Sequence, residues 1–95
     1  VRRVNTSQTL STLDTVIFCV AQSAKITLTL PTNAEDGQIY FIKKATSPDF
    51  IVTAVGGDYI MTNSSTKSIT VKNKHLIILI YDKVNELWMF GLANE

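Results

Sequence analysis

One cysteine, one histidine and two prolines in 95 residues leave few parts from which covalent or metal chemistry could be built. Cys19 stands alone, so no intrachain disulfide can form and the core must hold by burial, as expected of a chain folded in a reducing cytoplasm. Within the apolar run Val16-Ile17-Phe18-Cys19-Val20 it reads as a small buried hydrophobe rather than a nucleophile. One His and one Cys cannot complete a four-ligand zinc site within one chain, so no metal is expected. The acidic residues Glu35, Asp36, Asp49, Asp58, Asp82 and Glu86 fall in separate loops, without the spacing of a calcium loop. His75 has no G-x-S-x-G turn to serve. No catalytic residue is assigned, no cofactor is expected, and the chain is read as non-enzymatic.

Charge of one sign is also missing: nine Lys and Arg against eight Asp and Glu give no electrostatic reason to expect nucleic acid. The basic residues that do cluster, Arg2, Arg3, Lys43 and Lys44, are not interleaved with aromatics as a base-stacking platform would be. No apolar run approaches the roughly 20 residues of a membrane-spanning helix, so no membrane insertion is expected. The chain opens on Val1 with no leader pattern, which reads as an excised domain or a processed product of something longer.

Helical periodicity is absent as well. What is present is alternation with a period of two, the signature of strands. Ile26, Leu28 and Leu30 alternate with Thr27 and Thr29, giving one apolar and one hydroxyl-lined face. Pro31 stops this strand, having no N–H to donate, and the loop to Gly37 needs a residue that accepts a positive φ. Ile39-Tyr40-Phe41-Ile42 is apolar on both faces until Lys43 and Lys44. Val16 to Ala21, Phe50 to Val55, Ser68 to Lys72, His75 to Tyr81 and Leu87 to Leu92 read as further strands, and Asp58 to Met61 as a short one, with Asn73-Lys74 as a hairpin turn. About eight short strands separated by turn signals predict an all-β domain, an antiparallel, jelly-roll-like β-sandwich over residues 14–95 with little or no helix. Residues 1–13, polar and Ser/Thr-rich, are expected to be an N-terminal arm or linker strand.

The strand Leu76 to Tyr81 raises a question of assembly. Residues 76, 78 and 80 point one way, 77, 79 and 81 the other, and both rows are apolar. A sandwich buries one face of each sheet, so a loop, the arm or another subunit must cover the second row. Ile77, Leu79 and Tyr81 are the candidate oligomer interface.

The string ITLTLP, a polar loop, Gly37, then IYFIKK, the Gly-Gly-Asp-Tyr-Ile turn and finally LIILIYDKVNELWMFG resemble the β-sandwich head or tip domains of bacteriophage and large-DNA-virus tail fibres, spikes and capsid fibres. The resemblance covers residues 14 to 92. It implies a homotrimer on a virion, folded in the host cytoplasm, that caps a fibre or attaches to a host-surface glycan or protein receptor. A carbohydrate-binding module of a larger enzyme, or a purely architectural capsid or baseplate domain, are the alternatives. Tyr59, beside the Gly56-Gly57 turn, and Trp88, whose ring could stack on a sugar, are the candidate binding residues, each set against a role as core or interface filling.

Overall fold

The computed structural model describes residues 1–20, 25–44, 48–72 and 75–93. The described residues form eleven strands and no helix. The first six are β1 (Arg2–Val4), β2 (Gln8–Thr9), β3 (Val16–Cys19), β4 (Thr27–Thr29), β5 (Ile39–Lys44) and β6 (Phe50–Thr53). They alternate strictly between two sheets. In one sheet β1, β3 and β5 lie side by side and parallel, with Arg2 beside Ile17 and Ile17 beside Ile42. In the other, β2, β4 and β6 do the same, with Gln8 beside Leu28 and Leu28 beside Val52. The chain therefore winds as a β-solenoid of about three turns.

This corrects the expectation of an antiparallel jelly-roll sandwich. Each short connection carries the chain across to the opposite sheet instead of reversing it within one. Neighbours in a sheet are thus strands one coil apart and run parallel. Residues 1–13 supply the first coil through β1 and β2, and contribute the buried Val4 and Leu10. The expected turn at Asn73-Lys74 lies outside the described residues.

The later strands finish the coil differently. They are β7 (Tyr59–Met61), β8 (Ser65–Thr66), β9 (Ser68–Val71), β10 (Leu76–Asp82) and β11 (Leu87–Ala93). β9 closes the four-stranded sheet antiparallel to β6. β10 runs antiparallel to both β5 and β11, and β11 pairs parallel with β7, so the other sheet grows to seven strands. Gly37, at φ 85°, sets up the turn into β5 as its loop requires; its N–H donates to the Tyr81 carbonyl at 2.8 Å.

The core fills the space between the sheets. Leu28, Phe50, Val52 and Val71 come from the smaller sheet, and Ile17, Ile42, Ile77, Leu79 and Ile60 from the larger. Burying each such side chain stabilises the fold by about 1.5–3 kcal/mol. Lys44 is also fully buried; its Nζ donates to the Pro48 carbonyl at 2.6 Å, which offsets part of the cost of removing an ammonium from water.

Candidate functional site

The two outward faces of the solenoid differ in chemistry, and the register shows why. On the four-stranded sheet, Thr9, Thr29, Thr53 and Ser68 stand in one row and Thr27, Ile51 and Thr70 in the next. That face is lined by hydroxyls and suits water. On the seven-stranded sheet, Ile39, Ile80, Met89 and Met61 form one row, and Val16, Phe41, Ile78 and Gly91 form another. Ile39, Ile80 and Met89 are 36%, 42% and 46% exposed, and Phe18 on the same face is 39% exposed. Apolar side chains singly exposed need no explanation, but two adjacent rows across four strands form a contiguous patch of the kind that marks an interaction surface. Arg3 and Lys43 border it at one end, Asp82 at the other, as the register with Phe18, Leu76 and Leu87 places them.

The row expected to face a partner is therefore the wrong one of the pair. Ile77 and Leu79 are fully buried and Tyr81 is 6% exposed, all within the chain's own core. Leu76, Ile78 and Ile80 take the outward positions. Both rows of β10 are apolar, so composition alone gave no means of choosing between them.

Trp88 is fully buried. Its ring stacks on Tyr40, with centroids 5.5 Å apart, and lies against Tyr81 at 4.7 Å. A bound sugar could not reach it. Among the described residues its indole N–H has no hydrogen-bond partner, a cost that the three-ring stack offsets in part. Tyr59 is 42% exposed, and the Lys67 ammonium sits 4.4 Å from the centre of its ring, a cation–π contact. The structure does not bring Tyr59 and Trp88 together into one site.

Cys19 is buried, and burial pushes its thiol up to about 11 against a partial pull the other way from Lys44. It is a thiol at neutral pH, and so a poor nucleophile. His75 is half-buried, and its backbone N–H donates to the Lys72 carbonyl at 3.4 Å. Among the described residues no three of His, Cys, Asp and Glu gather closely enough to hold a metal ion, and no helix is long and apolar enough to cross a membrane.

A second feature lies where the β10–β11 turn meets the loops after β4 and β6. A cavity of about 330 Å³ opens there, with Asp58, Tyr81, Lys83 and Glu86 in its wall. The Tyr81 hydroxyl donates to Asp58 Oδ1 at 2.7 Å, and Asp58 is 5% exposed. Lys67 Nζ donates to the carbonyls of Gly56 and Asp58, each at 2.6 Å, and so fixes the turn beneath the cavity. Sequence reasoning passed over this site because its residues come from three loops far apart in the chain; the only local signals were the Gly56-Gly57 pair and the polar stretch from Asp82 to Glu86.

No family model matches the chain, and no curated protein matches it. Among solved structures it is similar to one described as that of a chaperone–substrate complex, at 19% identity and a TM-score of 0.63. The match covers 95% of this chain and 15% of that one. The chain thus spans a small part of that protein's length, and the likeness shows the β-solenoid fold alone.

Proposed function

We propose that this domain is a non-enzymatic module of a virion appendage. It assembles as a homotrimer through the outer face of its seven-stranded sheet, and takes part in attachment to a host-surface receptor. The contrast between the two outward faces carries the assembly half of the reading: one is lined by Thr and Ser, the other by Ile39, Phe41, Ile78, Ile80 and Met89. Three copies arranged about a three-fold axis turn their apolar faces inward into a shared core and leave the hydroxyl faces in water. The virion setting and the choice of three copies rest on the likeness of ITLTLP, IYFIKK and LIILIYDKVNELWMFG to fibre and spike heads, a likeness of sequence whose sandwich fold this chain does not share.

Light scattering on the purified protein tests this. The expected mass is three times the 10.5 kDa of the chain, falling to a folded monomer in an Ile80→Lys variant, because one ammonium per copy would have to be desolvated in the shared core. A wild-type protein that stays monomeric at high concentration would overturn the assembly reading.

A further inference from the structure

We propose that the cavity between the Gly56-Gly57 turn and the β10–β11 loop is a binding site for a neutral saccharide. The proposal rests on the attachment half of the reading above and gives it a location. The residues that line the cavity include two with carboxylates, Asp58 and Glu86, two with hydroxyls, Thr32 and Tyr81, and Lys83, whose ammonium also pairs with Glu35 at 3.8 Å. Groups of both signs facing one small space suit a ligand that donates and accepts at the same atom. A sugar hydroxyl does this: it donates to a carboxylate and accepts from an ammonium. An anion would meet two carboxylates. A bare cation would find Asp58 Oδ1 already accepting from Tyr81. Val55 and Val84 add apolar surface to the wall, against which the C–H face of a pyranose can lie. The volume of about 330 Å³ falls at the lower end of the range for small-molecule sites.

Two backbone details converge on the same place. Glu86 takes φ 56° and is the non-glycine residue in the left-handed region among the described residues, a conformation that strains a residue carrying a Cβ. Glycine or asparagine would fit that turn position more cheaply. Holding a Glu there places its carboxylate over Gly57, where an added Cβ would lie 2.9 Å from Glu86 Oε2. Gly57 itself is not in the left-handed region; its missing side chain serves to make room for the carboxylate. The floor is fixed in advance by Lys67 and by the Tyr81–Asp58 bond, so little ordering is left for the ligand to impose.

Amide NMR titration of the intact protein with galactose, glucose and N-acetylglucosamine, and with N-acetylneuraminic acid as the anionic comparison, tests the site. At least one neutral sugar should shift the amides of Gly57, Lys83, Val84 and Glu86 saturably. Glu86→Gln should weaken that binding about tenfold, as loss of a hydrogen bond to a charged acceptor implies, and Gly57→Ala should do the same by displacing the carboxylate. Both variants should keep the fold and the assembled mass. The proposal is overturned if no neutral sugar gives saturable shifts, if the shifts map away from this cavity, if N-acetylneuraminic acid binds more tightly than the neutral sugars, or if Glu86→Gln binds like the wild type. Because none of the residues in the apolar rows lines the cavity, loss of sugar binding with the trimer intact, and sugar binding by a monomer, are distinguishable results.

Discussion

The hydroxyl of Tyr81 donates to Asp58 Oδ1 at 2.7 Å across 23 positions of sequence, and both residues are buried. The bond ties the end of β10 to the turn after β6, and its two members are unequal. Asp58 is a buried carboxylate that needs a donor, whereas Tyr81 without its oxygen is still a well-packed ring against Trp88. Tyr81→Phe should therefore destabilise the protein by about 1–3 kcal/mol, the cost of leaving a buried polar group without its partner. Asp58→Asn, which keeps an acceptor for the same hydroxyl, should cost less. Urea unfolding midpoints of the two variants against the wild type measure the difference, and equal losses would contradict the asymmetry.

Alkaline pH should unfold the protein through three buried groups. Burial pushes Tyr40 up to about 12, with the charge of Asp14 adding to it. Burial, then the bond to Asp58 and its charge, push Tyr81 up to about 12. The Cys19 thiol rises to about 11. In each case the folded state holds its proton more tightly than the unfolded chain. Stability from these groups is therefore intact below their ordinary values of 9.0 and 10.0, and is lost as pH rises through the folded values of about 11 and about 12. Each group adds a slope of up to about 1.4 kcal/mol per pH unit in that window. Urea midpoints taken between about pH 8 and about pH 11 should fall steeply at the upper end. The fall should be shallower in Tyr81→Phe, and parallel curves for the two proteins would remove Tyr81 from the account.

Individual strands were plain in the sequence, but the way they join was not. The run from Ile39 to Ile42 and the runs ending at Tyr81 and Leu92 match β5, β10 and β11 closely, because alternation and β-branched content act within a few residues. Strand direction depends on whether a connection stays in one sheet or crosses to the other, and Gln22 to Ala24 reads the same either way. The first coil left almost no trace, since β1 and β2 are so short that each places a single large apolar residue in or beside the core, Val4 and Leu10. The pairing of Thr with the outer face was visible at Thr27 and Thr29. That it continues through Thr9, Thr53 and Ser68 needed the register. The Asp58–Glu86 cavity needed three loops to meet, which no local pattern encodes.

Glu86 should be a site where stability and binding trade against each other. Its φ of 56° is strained for a side chain with a Cβ, so Glu86→Gly should raise stability by about 0.5–1 kcal/mol after the extra freedom of the unfolded glycine is set against the relief. The reverse change at Gly56, φ 66°, should cost about 1 kcal/mol as Gly56→Ala. Thermal unfolding of both variants gives the signs directly. A Glu86→Gly protein less stable than the wild type would mean that the carboxylate contributes more to the fold than its backbone strain takes away.

Adjacent positions on β10 should respond to mutation in opposite ways. Ile77 is fully buried, with Ile42 beside it on β5. Ile77→Ala should cost about 2–5 kcal/mol whatever the protein concentration, through lost transfer energy and the cavity left behind. Ile80 is 42% exposed on the apolar outer face, where truncation leaves no enclosed void within the chain. Ile80→Ser should therefore change the unfolding midpoint little at low concentration. It should abolish the rise in midpoint with concentration expected of a protein whose folded state is stabilised by association. Measuring both variants over about a hundredfold range of concentration separates the two roles, since that range is worth several kcal/mol to an associating protein and nothing to a monomer. If the wild-type midpoint does not depend on concentration, or if Ile80→Ser proves as destabilising as Ile77→Ala, then the outer face of the seven-stranded sheet is not where copies of this chain meet.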